Sequence, residues 1–434
     1  MSVDILNLEF PNIDRDRHII TPVYMYLRKH KGLKIKSRNL HYPFFNILVH
    51  RPRMILISNA HGDDSTYLLL KFLHGLGFNI VTTVTEGNFH KEYLHGYLWG
   101  WNKDFKLFQD GMILWNTKSK EMIVEKHPEL EEKLFVSGAT GFDRYKIFTY
   151  KQKSAFLEEF KLTKYKKVLG IASFGIFDHI DRPDVLATVN PYFSQESLRT
   201  FQEDLIKLRS AYRVLIQNNP DTLFILRVHP QLANKVYRTE FSDLLDLPNI
   251  FVSSSYGNLP SVADAISISD FWIGYESTTS IEGWLLNKMT VYLNPTRADF
   301  QRENHYRGCL IVDSVEKLQS VIDRFYRQEK IEEYDALNDN RENIIKEVIE
   351  HGDGKNHVRA AELIYTFFQK AKRPPFFKTS VALFKKIDFT ALIKLCVYNI
   401  PIYWKIRPNL QKPVRLIPLD KDETKKYEQL YENV

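Results

Sequence analysis

The stretch Leu223-Phe224-Ile225-Leu226-Arg227-Val228-His229-Pro230 carries five apolar residues between Leu223 and Val228. A short apolar run of this kind, with β-branched and aromatic members, reads as a strand buried on both faces, as in a parallel sheet. Proline cannot donate to a sheet ladder and biases the preceding residue towards extended backbone, so the strand stops at His229. Arg227 and His229 are thereby left at the carboxyl end of a buried parallel strand, the rim where open α/β sheets bind ligands. A surface arginine beside a solvated histidine is the simpler alternative.

Working outward, residues 167–173 form a strand before this one, and a long helix over about 195–218 joins the two. Further strands are expected at 249–252, 271–274 and 290–293, with helices at 261–268, from 279 to 286 and at about 315–328. The amino-terminal half has the same alternation. Strands are expected at 4–9, 33–35, 53–57, 79–84, 106–108, 113–114 and 134–136, with helices at 14–30 and 67–76. Strand, helix and strand in regular succession indicate an α/β protein with doubly wound parallel sheets. A charged stretch at 151–166 separates the two series. The expected organisation is therefore an amino-terminal acceptor domain over 1–150, a linker at 151–166, a carboxyl-terminal donor domain over 167–372 and a basic helical tail over 373–434.

At 434 residues the chain exceeds the size of one core, which also argues for two domains. The net charge of +7 favours anionic partners, but 60 basic residues against 53 acidic ones, with no recognition motif, argue against nucleic acid. Two cysteines, Cys309 and Cys396, give neither metal-ligand spacing nor a disulfide framework. No secretory signal pattern and no apolar run of spanning length are seen, so a cytoplasmic protein is expected. Residues 376–396 place apolar residues at helical spacing among Lys378, Lys385, Lys386 and Lys394, and 398–416 is rich in Trp, Ile, Pro, Arg and Lys. This tail either lies on an anionic inner-membrane surface or packs as a helix across the domains.

Four constellations carry candidate chemistry. Ser277-Thr278-Thr279-Ser280-Ile281-Glu282 opens a helix after a strand ending in Gly274; free N–H groups and hydroxyls there form an anion site, while Thr279-x-x-Glu282 alone reads as a capping box. The glycine would let a ligand approach the backbone. Arg227 and His229 would bind a phosphate and stabilise charge on a leaving group. Glu86-Gly87 follows the strand 79–84; a carboxylate at that rim is a candidate general base or, alternatively, a turn carboxylate capping the next helix. Ser173-Phe174-Gly175 is a small-residue loop able to admit a nucleotide phosphate. His127-Pro128 opens a polar helix and reads as structural. There is no Walker loop, G-x-G-x-x-G, G-x-S-x-G elbow, Asp-x-Asp pair of the kind metal-dependent glycosyltransferases use, or metal-binding His/Cys cluster, so neither a metal nor a cofactor is expected.

Taken together, these residues resemble the GT-B-type glycosyltransferases of bacterial surface polysaccharide assembly, in which two Rossmann-type domains face across a cleft with carboxyl-terminal helices. His229-Pro230, Ser277-Thr278-Thr279 and Glu86-Gly87 are similar to landmarks of CMP-sugar users, the bacterial sialyltransferases, polysialyltransferases and Kdo transferases of capsule and lipopolysaccharide; the first acidic position of the acidic-acidic-Gly motif is Thr85 here. The resemblance implies that His229, Ser277, Thr278 and Thr279 hold the nucleotide of a nucleotide sugar, best matched to CMP-Kdo; Ser173, Gly175 and Arg227 join that site by their own positions, and Glu282 would contact ribose or stabilise the loop. It implies Glu86 and His229 as catalytic residues and places Asn59, Gly87 and Asn88 on the acceptor side. The acceptor would be a lipid-linked or growing glycan. The phrase from Ser277 to Lys288 also resembles the donor site of CDP-glycerol-type transferases, which gives a polyol-phosphate transferase as the alternative. A sugar-nucleotide epimerase of the same fold and a catalytically silent assembly scaffold complete the set.

Overall fold

The computed structural model of the chain describes residues 2–9, 14–58, 62, 64–87, 91–99, 105–178, 180, 194–229, 239–254, 258–259, 261–297 and 304–388. Its described residues form two compact units. One falls within Met1–Lys146 and Lys346–Val434, the other within Ile147–Ile345. Each is built on a six-stranded, wholly parallel sheet.

The first sheet comprises β1 (Ile5–Glu9), β2 (Ile35–Asn39), β3 (Met54–Ile57), β4 (Asn79–Thr83), β5 (Gly111–Leu114) and β6 (Leu134–Val136), in the order β2-β1-β3-β4-β5-β6. Its central strands are buried at every position, as the continuous apolar runs require. On one face Ile5, Leu56, Val81 and Ile113 pack with Ile20, Val23 and Leu27 of the helix Asp14–Lys31. Ala360, Ala361, Ile364 and Phe368 of the helix Asn356–Lys370 complete that face. On the other, Leu6, Leu8, Ile55 and Ile57 pack with Leu69, Leu70 and Leu73 of the helix Asp64–Gly75.

The second sheet comprises β7 (Lys167–Ala172), β8 (Thr222–Arg227), β9 (Ile250–Ser253), β10 (Phe271–Gly274), β11 (Met289–Leu293) and β12 (Leu310–Val312). Its order is β12-β11-β10-β7-β8-β9. Strand succession therefore reverses between β7 and β10, the arrangement of doubly wound nucleotide-binding sheets. Leu169, Ile171, Phe224, Leu226, Phe271 and Ile273 face the long helix Gln195–Gln217. Val168, Leu223, Ile225 and Trp272 face the helix Val262–Ile268.

Several expectations are corrected. Residues 106–108 are not a strand; β5 begins at Gly111. The strand expected at 33–35 lies at Ile35–Asn39, paired with β1 from Ile5↔Ile35 to Glu9↔Asn39. The stretch 151–166 contains the helix Lys153–Glu159, whose Phe156 and Leu157 join the second unit's core. The helix Asn356–Lys370, expected in the second domain, instead covers the first sheet. There the His357 backbone N–H donates to Asp143 Oδ2 at 2.6 Å, and the His357 ring Nδ1 lies 2.7 Å from the same oxygen.

Candidate functional site

Four of the expected site residues, Ser173, Gly175, Arg227 and His229, lie at the carboxyl edge of the second sheet where β7 and β8 end, and Ser277, Thr278, Thr279 and Glu282 follow β10. β7 pairs with both β8 and β10, with Ala172 opposite Arg227 and Ile171 opposite Ile273. The chain leaves β7 through Ser173, Phe174 and Gly175, and Gly175 lies against the imidazole of His229. A Cβ at that glycine would be 2.8 Å from His229 Cε1 and 2.9 Å from both ring nitrogens. The backbone of the turn after β7 thus forms one wall of the histidine, which is itself partly exposed.

Arg227 is turned inward. It is 6% exposed, and its Nη1 donates to Ser253 Oγ at 3.0 Å and to the Leu259 carbonyl at 3.2 Å. The arginine thereby ties the end of β8 to the end of β9 and to the loop that follows.

The Ser173 turn rests on a residue the sequence did not point to. Ser173 Oγ donates to Glu240 Oε2 at 3.1 Å, and the Phe174 N–H donates to Glu240 Oε1 at 3.0 Å. Glu240 is fully buried, and burial pushes its carboxyl up to about 7, opposed by these hydrogen bonds and by Arg209. A second buried acid, Asp204 of the long helix, accepts from the Tyr275 hydroxyl. It also accepts from the Thr296 N–H at 3.1 Å and the Thr296 hydroxyl at 3.0 Å, so one carboxylate fixes the loops after β10 and β11. No local motif marks either acid; their partners lie 66 to 92 residues away in sequence.

The Ser/Thr loop departs from the expected capping box. The helix is Thr279–Leu285; its N-cap, Thr278, makes no side-chain cap bond, and the Thr279 N–H donates to Ser277 Oγ at 3.4 Å. Thr279 is the first helical residue, and its hydroxyl accepts the indole N–H of Trp272 at 3.0 Å and lies 2.9 Å from Ser277 Oγ. Trp272 fits because Gly170 stands opposite it on β7: a Cβ there would be 2.2 Å from the indole ring. Ser277 is held by its carbonyl, which accepts the Tyr292 hydroxyl at 2.5 Å; the same hydroxyl lies 3.0 Å from Ser280 Oγ. Gly274 serves this clamp, since a Cβ at that position would meet the Tyr292 ring at 2.9 Å. The glycine makes room for a tyrosine, where the sequence suggested close approach of a ligand. Thr278 is exposed, and Ser277, Thr279 and Glu282 are partly so.

In the first unit, Glu86 is exposed beyond the end of β4, and Gly87 is buried beside Trp115. The Gly87 carbonyl accepts Asn116 Nδ2 at 2.7 Å, and that side chain also caps the helix Thr117–Val124 through the Ser119 N–H at 2.8 Å. Asn59, Asn88 and Pro230 lie outside the described residues. Among the described residues, no group of three or more His, Cys, Asp or Glu is arranged to hold a metal ion.

No protein-family model matches the chain, and no curated protein matches it. Solved structures do. A protein of Listeria monocytogenes described as a UDP-N-acetylglucosamine 2-epimerase superposes with a TM-score of 0.53 at 14% identity, over 86% of this chain and 99% of the other. MnaA of S. aureus, in a co-structure with UDP, gives 0.53 at 14% identity over 84% and 97%. The wall teichoic acid polymerase TagF, soaked with CDPG, gives 0.51 at 12% identity over 85% and 89%. At these identities the likeness is one of fold. The chain has the two-sheet α/β fold of GT-B type.

Proposed function

We propose that this chain is a nucleotide-sugar-dependent glycosyltransferase of surface glycan assembly, acting without a metal and binding its donor at the carboxyl edge of the second sheet. The observation that carries the reading is the packing of Gly175, after β7, on His229, after β8, beside the point between β7 and β10 where strand order reverses. Two segments 54 residues apart, from a glycine turn and a histidine, meet where doubly wound sheets bind nucleotides. In this reading His229 donates to the donor phosphate and stabilises charge on the departing nucleotide. Ser277, Thr278 and Thr279 offer hydroxyls and first-turn N–H groups to the same anion. Ser173 and Gly175 let the backbone approach it. Arg227 and Glu240 are positioning residues, one for the end of β8 and the other for the β7 turn. Glu86 is the proposed base for the acceptor hydroxyl, and the acceptor is a lipid-linked or growing glycan.

The motif resemblance favours a CMP-ulosonate such as CMP-Kdo as donor. A polyol-phosphate transfer from CDP-glycerol is the second reading, favoured by the Ser277–Lys288 phrase and by the fold likeness to a polymerase soaked with CDPG. Both predict a cytidine nucleotide in the site. The test is thermal stabilisation by CMP, CDP, UDP, GDP and ADP, on the full chain and on His229→Ala. The expected result is a rise in Tm with a cytidine nucleotide that His229→Ala abolishes. Loss of charge-assisted hydrogen bonds worth about 1.5–3 kcal/mol would weaken binding by about ten- to a hundredfold. A response confined to UDP would overturn the cytidine assignment in favour of an enzyme using UDP-sugars. No response to any nucleotide would overturn the enzyme reading in favour of a scaffold.

A further inference from the structure

The helix Phe376–Phe384 packs on the first unit by one edge only. Thr379 and Leu383 are 7% and 2% exposed, and Leu383 belongs to the same core as Leu6, Ile55 and Ile57. Phe377, Val381 and Phe384 are 83%, 56% and 56% exposed. Their spacing of four and three residues places them within about 60° of arc on an α-helix. Burial of Leu383 fixes the rotation of the helix, so this apolar stripe is held outward. Phe376, beside it, lies under the guanidinium of Arg51 at 3.9 Å.

The charge around the stripe has one sign. Lys370, Lys372, Arg373, Lys378, Lys385 and Lys386 are exposed, and no acid occurs from residue 370 to residue 387. Asp388 follows in sequence, and Asp4 lies 3.9 Å from Arg373. We infer that this face is a docking surface for an anionic phospholipid bilayer. Aromatic side chains enter the boundary between headgroups and acyl chains, while lysines and arginines around them are drawn to the negative surface. The charge pattern disfavours the other occupants. A second copy meeting this face through two-fold symmetry would oppose six cations with six more. The chain's own residues 398–416 carry Lys405, Arg407, Lys412 and Arg415 and no acid, so they too would bring like charge. The inference stands apart from the proposed chemistry, because it needs no nucleotide and no acceptor.

The experiment is flotation of the full chain with vesicles of phosphatidylcholine alone or mixed with phosphatidylglycerol. Wild type is expected to bind the anionic vesicles, with affinity falling as salt rises. Phe377→Ser/Val381→Ser and Lys378→Gln/Lys385→Gln should each weaken that binding by about tenfold or more. Tm should be unchanged, since all four side chains are exposed. Equal binding to neutral and anionic vesicles, or binding untouched by the Phe377/Val381 variant, would overturn the inference. So would concentration-dependent self-association that the same variant abolishes, because it would identify a second copy as the occupant.

Discussion

The carboxyl edges of the two sheets solve the same problem differently. At the edge of the second sheet the polar side chains are tied to one another through buried anchors: Ser173 to Glu240, Thr279 to Trp272, Arg227 to Ser253, and the Ser277 carbonyl to Tyr292. At the edge of the first sheet Ser58 and Thr85 are fully buried, as is Asn7 two residues earlier on β1. Among the described residues, Ser58 Oγ, Thr85 Oγ1 and Asn7 Oδ1 have no hydrogen-bond partner. Each such orphan costs about 1–3 kcal/mol. One edge is preorganised, with its loop geometry set in advance, and the other carries unpaired polar atoms that its fold tolerates. Preorganisation is what a site needs to hold a small anion in one pose, and among the described residues it is the edge of the second sheet that shows these ties.

Four substitutions break or sharpen this contrast. Gly170→Ala pushes a methyl into the Trp272 ring and should destabilise the second unit by about 3 kcal/mol. Its urea midpoint should fall, and a loss of unfolding free energy of less than about 1 kcal/mol would show that Trp272 is free to move. Next in size is pH dependence. Glu240 has a folded pKa of about 7 against 4.5 for a free carboxyl, so its burial costs nothing below pH 4.5. The penalty builds between 4.5 and 7 and is complete above 7, at about 3 kcal/mol. Glu240→Gln should flatten that part of the stability profile, read by calorimetry across the window; an unchanged slope would contradict the raised value.

Smaller effects test the pairing directly. Thr279→Val keeps the shape but strands the Trp272 N–H, and should cost about 1–2 kcal/mol in thermal denaturation. Thr85→Val makes the same chemical change at the other edge and removes an atom that had no partner. It should be neutral or stabilising by up to about 1 kcal/mol. If the two valine variants behaved alike, the contrast between the edges would be lost.

The parts of this molecule that were legible in sequence are those whose cause is local. β3, β8 and β10 read as strands because burial on both faces demands unbroken apolar runs. Edge strands fail that test: β2, with sequence IKSRN, is buried only at Ile35, and β12 has three residues. The helix Pro43–His50 went unread between β2 and β3. At the site, His229 and the Ser277–Thr279 loop declared themselves by ending strands. Glu240, Asp204 and Trp272 did not, because each acts on a partner brought near only by folding. The glycine at 274 was read in the right place for the wrong neighbour, since nothing in its segment announces Tyr292.

The return of the helix Asn356–Lys370 to the first sheet has a consequence for synthesis. The second unit is one continuous stretch, Ile147–Ile345, and is complete as soon as it has left the ribosome. The first unit begins earlier yet cannot close, because Ala360, Ala361, Ile364 and Phe368, which help cover one face of its sheet, are made only after the second unit. The half of the protein that is translated first is therefore the half that finishes folding second. Until then the part of the face of Ile5, Leu56, Val81 and Ile113 that the helix Asp14–Lys31 does not cover stays open to chaperones, to proteases and to its own kind.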